Sequence, residues 1–273
     1  MRDVQNDRDS RNVTIDRVGV RNLSYPIIVM DRDSGIQNTV ASVSMSVLLP
    51  HEYRGTHMSR FIETLEEYKG KIGPATLEAL TRRLCSKLDA TEAEIDFQFP
   101  YFMRKRAPVS DIPSYMRYDA SLQGMYKENT FDMITGVGVS VQTLCPCSKE
   151  ISSCGAHNQR TRVRLEVRMD ELVWFEEMIQ MVERSSSTPL YTLLKREDEK
   201  YVTEQAYANP HFVEDVVRDL AVELNRDDRI TWYGISVSSA ESIHNHDAFA
   251  EIFRNKKMEI TAKKNEGLKK TQS

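Results

Sequence analysis

From Ala41 to Leu49 the chain reads A-S-V-S-M-S-V-L-L, apolar side chains alternating with serine, and this period of two predicts a strand with one buried face. Two helical segments are expected next, over 57–69 and 74–88. In the second, Pro74 suits a first helical position, and Leu77, Leu80, Leu84 and Leu88 recur every three or four residues. Alternation returns at 93–101 (A-E-I-D-F-Q-F-P-Y) and predicts a strand, with a further one at 115–126. Strands are expected again at 131–143 and 160–168. A helix starting near Asp170 as N-cap follows, with Leu172, Phe175, Met178, Ile179 and Val182 along one side. After a polar stretch come a helix from about Pro210 to Asn225 and a strand from Arg229 to Ser238.

The two halves thus share an element order without sharing residues. Two β-β-α-α-β-β units in tandem give antiparallel sheets with helices on one face, an α+β class. The expected division is a polar lead-in at 1–24, units at 25–128 and 129–255, and a basic tail at 256–273. The tail is nearly devoid of apolar residues and reads as a solvated extension rather than an RNA-binding arm.

Composition narrows the function classes. With 37 Lys+Arg against 41 Asp+Glu the net charge is −4, so the chain has no general attraction for nucleic acid or anionic membranes. No apolar run is long enough for a membrane span, and the first twenty residues lack a signal-peptide core, so the expected location is cytoplasmic. Four cysteines among 273 residues are too few for a disulfide framework and are free for metal or nucleophilic chemistry.

Three of those cysteines, Cys145, Cys147 and Cys154, stand with His157 in L-C-P-C-S-K-E-I-S-S-C-G-A-H-N-Q-R. A second polar cluster, E-S-I-H-N-H-D, brings Glu241, His244 and His246. Thiolate, imidazole and carboxylate together form a donor set for a divalent metal such as zinc. The C-x-C spacing is not that of a zinc ribbon; in an extended segment one cysteine can enter a site while the other packs. Cys85, in a leucine-rich helix, reads as core. R-G-T-H-M-S-R-F puts His57, Ser59 and Arg60 at a helix start, where hydroxyls, amides and a guanidinium can cradle phosphate, although helix capping explains the Thr and Ser equally well. Glu199 lies in a highly charged stretch. Glu214 falls in the first turns of a helix, as a dipole partner or as a carboxylate accepting paired N–H donors from a guanine-like ring.

R-G-T-H-M-S-R-F, C-P-C-S-K-E-I-S, G-A-H-N-Q-R and E-S-I-H-N-H-D-A-F-A, in this order, resemble the type IB family of GTP cyclohydrolase I. The resemblance covers most of the chain. It implies two tunnelling-fold units per chain, assembly into oligomeric barrels as a homotetramer with sites between subunits, and conversion of GTP and water to 7,8-dihydroneopterin triphosphate and formate. It also implies a divalent metal (zinc, manganese or iron) held by Cys147, Glu199, Glu241 and His244, with Cys147, His157 and His246 in catalysis and Glu214 on the guanine edge. His57, Ser59, Arg60, Lys149 and Arg160 are candidates for the triphosphate by charge and motif. Two rival readings remain at this point: a tunnelling-fold nitrile reductase with Cys147 as nucleophile, and a non-catalytic protein with a structural zinc.

Overall fold

The computed structural model describes residues 5, 7–68 and 70–258. In chain order the elements are β1 (Ile15–Asp31), β2 (Gly35–Leu49), α1 (Met58–Glu67), β3 (Lys71–Ile72), α2 (Pro74–Leu88), β4 (Ala93–Arg106), β5 (Pro113–Lys127), β6 (Thr130–Leu144), α3 (Pro146–Ile151), β7 (Asn158–Met169), α4 (Phe175–Arg184), β8 (Thr188–Pro189), α5 (Arg196–Ala208), α6 (Val213–Arg226), β9 (Ile230–Ala240) and β10 (Asp247–Asn255). The long strands pair antiparallel, and the alternation expected from sequence is realised as burial. In β2, Ala41, Val43, Met45, Val47 and Leu49 are buried, while the intervening serines are not.

The chain forms two compact units: one runs to Pro100 and adds Ala120–Thr135, the other takes Tyr101–Asp119 and everything from Gly136 on. The division is therefore not the consecutive one at 128/129 expected from the pattern. β4, β5 and β6 are 14, 15 and 15 residues long, and each contributes a segment to both units. At about 3.3 Å per residue such strands reach nearly 50 Å, more than one small unit needs.

In the first unit β2 lies between β1 and β4, and β3 pairs parallel with β1. Helices α1 and α2 pack together, burying Phe61 and Leu65 of one and Leu77, Leu80 and Leu84 of the other. The expected lead-in at 1–24 is corrected here, because β1 already begins at Ile15. Its alternation is hidden by register shifts between Ile15 and Val18 and between Val20 and Leu23, with Asn22 at a left-handed φ of 59°.

In the second unit β9 lies between β7 and β10, with α6 packed on β9 and β10 through Val216, Val217, Leu220 and Leu224. The helix expected from Asp170 starts later: Trp174 is the N-cap of α4, and its N–H donates to Glu177 Oε2 at 2.9 Å. Where the sequence reads as an exposed charged stretch, α5 forms with only Asp198 and Ala206 buried. Asp198 accepts N–H bonds from Lys195, Val109 and Ser110 at 2.8–2.9 Å and an O–H bond from Ser110 at 2.6 Å. Burial opposes its ionisation, but these donors outweigh burial and hold the carboxyl well below the usual range. One fully buried carboxylate thus pins the first turn of α5 to the loop between β4 and β5. Of the expected tail, Lys256 is anchored by donating to Leu224 O (3.0 Å) and Asp227 O (2.7 Å); residues 259–273 lie outside the described residues.

Gly19 tests whether β1 is a true strand. A Cβ there would lie 1.9 Å from the Met45 carbonyl oxygen, a backbone atom that cannot rotate away. Gly19→Ala is expected to destabilise the protein by about 1–3 kcal/mol in urea unfolding. A neutral substitution would restore the view of this segment as a lead-in.

Candidate active site

The cysteine segment is helical rather than extended. Cys145 is the N-cap of α3, its Sγ accepting from Ser148 N at 3.4 Å. That orientation assigns Cys145 to capping and leaves Cys147, in the first turn, exposed. The six-residue helix is too short to persist alone and is held from outside. Cys145 N donates to His157 O at 3.1 Å, and His157 N donates to Ser148 Oγ at 3.2 Å. The connecting loop turns at Gly155, whose φ of 77° favours glycine, and carries exposed Cys154. Cys85 is buried as expected, and burial pushes its thiol up to about 11, so it is chemically inert.

His157 leads into β7, which pairs with β9 in a register that sets Thr161 opposite Ser239. Two positions beyond that pair stand Gln159, on β7, and Glu241, just past the end of β9, and Gln159 Nε2 donates to Glu241 Oε1 at 3.2 Å. The same amide's Oε1 lies 3.0 Å from His157 Nδ1. His157 Nδ1 is 3.8 Å from Glu241 Oε2, and both side chains are largely buried, at 11% and 14% exposure.

The direction of every bond in this cluster follows from donor arithmetic. Thr161 Oγ1 donates to Ser239 Oγ at 3.0 Å, so its 2.6 Å contact with Thr143 is a bond that Thr143 donates. Thr143 then accepts from Gln159 Nε2 at 3.3 Å. With the amide NH2 turned to Thr143 and to a carboxylate that can only accept, Oε1 must face the histidine. His157 therefore donates from Nδ1 to Gln159 Oε1, and Nε2 is the ring nitrogen that takes no part in this network. Sequence reading did not single out Gln159. Its role arises from strand register between residues 82 apart, and an N-Q-R triplet carries no local sign of it.

The other candidates are distributed as follows. His244 and His246 are exposed in the turn between β9 and β10, their rings stacked 5.2 Å apart, and His244 N approaches Glu241 O at 3.4 Å. The segment is a turn and not the helical one that E-x-x-H spacing would allow. Glu199 is exposed in the first turn of α5, next to Asp198, and Glu214 is exposed in the first turn of α6. Lys149 Nζ donates to Tyr207 O at 2.6 Å, and Arg160 is exposed on β7. His57 is the N-cap of α1 in the first unit, Ser59 is exposed, and Arg60 Nη1 donates to Lys87 O at 3.2 Å. Among the described residues of one chain, no three His, Cys, Asp or Glu side chains converge tightly enough to hold an ion. The donor chemistry itself, an exposed thiol and, separately, a carboxylate with one oxygen already engaged by Gln159, suits a divalent cation.

Comparison with known proteins gives a consistent picture. The family model described as type I GTP cyclohydrolase folE2 matches residues 1–250. A GTP cyclohydrolase FolE2 of Pseudothermotoga lettingae is 50% identical over 256 residues, covering 94% of this chain and 99% of that protein. One from Thermosipho melanesiensis is 51% identical over 250 residues, 92% and 96% of the two chains. Among solved structures, urate oxidase from Bacillus subtilis 168 matches with a TM-score of 0.52 at 9% identity, covering 88% of this chain and 99% of that one. Uricase from Arthrobacter globiformis matches at 0.50 and 9%, covering 88% and 93%. At such identity these structures speak for the fold alone: an α+β tunnelling fold with a large antiparallel sheet and helices on one face.

The tautomer assignment is directly measurable. Imidazole ¹⁵N shifts of His157 are expected to show Nδ1–H in the wild type and a mixture of tautomers in Gln159→Leu. A wild-type His157 protonated on Nε2 would contradict the bond directions above.

Proposed function

The chain belongs to the type I GTP cyclohydrolase FolE2 family, and from that premise we propose that the Cys147–His157–Glu241 region is the centre at which GTP is opened. The protein is a GTP cyclohydrolase, converting GTP and water to 7,8-dihydroneopterin triphosphate and formate. The observation that carries the site reading is the amide of Gln159, which bonds His157 and Glu241 together. Cys147 is tied to the same place through Cys145 N and His157 O. Membership displaces both rival readings.

The family implies a divalent metal, and the donors present fit one. Cys147, Glu241 and His244 would hold it, with Glu199 as a further oxygen ligand; zinc, manganese and iron all accept such a mixed set. When bound, a divalent cation supplies Lewis acidity and an acidified water. Gln159 would occupy one oxygen of Glu241 and leave the other for the ion, the arrangement by which outer partners orient ligands. His157 Nε2 would take a proton from water and return it to the imidazole nitrogen of the opening purine ring. His246 would serve as a second proton carrier. Glu214 would accept the paired N–H groups of the guanine edge in charge-assisted bonds and so fix C8 for attack. For the triphosphate, His57, Ser59, Arg60 and Arg160 supply donors and positive charge.

Because the donors do not converge among the described residues of one chain, we propose that the site is completed between copies, in the homotetramer that the family resemblance implies. The same assembly would close the sheets into barrels. No helix among the described residues is long and apolar enough to cross a membrane.

Turnover of GTP by protein stripped with chelator and resupplied with Mn²⁺ or Zn²⁺ tests this reading. Formate and, after oxidation, fluorescent neopterin are expected only with metal. Cys147→Ala should lose more than the roughly 100-fold that removal of an outer partner costs. Glu214→Gln should raise KM for GTP about 10- to 100-fold, the worth of a hydrogen bond to a charged group. Full activity of Cys147→Ala with metal would overturn the assignment.

A further inference from the structure

Lys149 stands two residues after Cys147 and was grouped by charge with the triphosphate candidates, but its ammonium is already engaged within the chain. Nζ donates to the backbone carbonyl of Tyr207 at 2.6 Å and lies 4.6 Å from the centre of the Tyr207 ring. Tyr207 is in the last turn of α5, whose final carbonyls have no helical partner and form the negative end of its dipole. A cation donating there satisfies one of those carbonyls and opposes that partial charge.

Both ends of α5 are themselves fixed. Asp198 holds its first turn, as described above. At its other end Asn209 Nδ2 donates to Ser186 O and Ser187 O at 3.1 and 3.4 Å. Ser187 Oγ in turn accepts from Leu144 N at 3.1 Å, at the end of β6 just before the cysteine segment. The short α3, by contrast, buries no side chain and has no apolar face to seat it.

We propose that Lys149 is a positioning residue: it straps the Cys147 turn to the last turn of α5, a helix itself pinned at both ends, and so holds the Cys147 thiol at one orientation for the metal. This rests on the metal reading above, in which Cys147 is a ligand. Lys149 touches neither substrate nor metal. Its contribution is to keep α3 at one orientation, which a six-residue helix cannot do alone.

Co²⁺ supplied to the chelator-stripped full chain, followed by absorbance, gives a readout independent of turnover, because a thiolate ligand produces a charge-transfer band. Lys149→Met retains the stem over the ring and removes the donor and charge. It is expected to bind Co²⁺ tenfold or more weakly, with a weaker thiolate band, while the thermal unfolding of the metal-free protein stays close to wild type. Lys149→Arg, which can donate to the same carbonyl and stack on the same ring, should restore the wild-type constant. Unchanged Co²⁺ affinity in Lys149→Met, with a raised KM for GTP, would overturn the strap and return Lys149 to the triphosphate. An Arg variant that binds Co²⁺ tenfold or more weakly than the wild type would also overturn it, and that result stands whether or not the Met variant folds. A wild-type protein showing no thiolate band that Cys147→Ser removes would instead overturn the metal reading, and the strap with it.

Discussion

The register of β7 against β9 is the constraint on which the site depends. Thr161 faces Ser239, and that single pairing decides that Gln159 reaches Glu241. A slip of one residue would turn every side chain of one strand to the other face and separate the pair. Buried hydroxyls mark the register: Thr143, Thr161 and Ser239 form a chain across β6, β7 and β9 in a layer otherwise filled by Val163, Leu165, Ile235 and Val237. Each of these hydroxyls would cost about 1–3 kcal/mol if buried without a partner, so a misregistered sheet is penalised at every one. The same bonds that penalise slippage orient the amide of Gln159, and through it the tautomer of His157.

The segments that carry chemistry are held differently from the core. Helices α2, α4 and α6 are seated by apolar stripes, such as Val213, Val216, Val217, Leu220 and Leu224 of α6. In α5 the seat is one carboxylate, one alanine and the polar contacts at its ends, and in α3 it is backbone, hydroxyl and thiol contacts and the Lys149 ammonium on Tyr207 O. Individual hydrogen bonds of this kind contribute about 0.5–1.5 kcal/mol, well below a buried leucine. Each candidate site segment is thus attached to the sheet by a few separable contacts, and each contact can be removed without disturbing the core.

This division explains what the sequence discloses. Alternation in Ala41–Leu49 and Ala93–Tyr101, and the leucine spacing of 74–88, are direct records of burial, and those elements stand where they are expected. In β1 the record is broken by irregular register, since an extra residue shifts the alternating face. For α5, with exposed residues at most positions, there is no record to read. Site chemistry was legible for a different reason: thiols, imidazoles and carboxylates in two short clusters are rare enough to notice. Gln159 and Asp198 were not legible, because an ordinary polar side chain acquires its role only from partners brought near by the fold.

X-ray absorption at the zinc edge of the metal-loaded protein tests the central claim most directly, that one thiolate and a set of nitrogen and oxygen donors hold the ion. The expected result is a single sulfur at about 2.3 Å with the remaining ligands nitrogen or oxygen near 2.0–2.2 Å. The sulfur shell should vanish in Cys147→Ala. A shell of two or more sulfurs, or none in the wild type, would contradict the account.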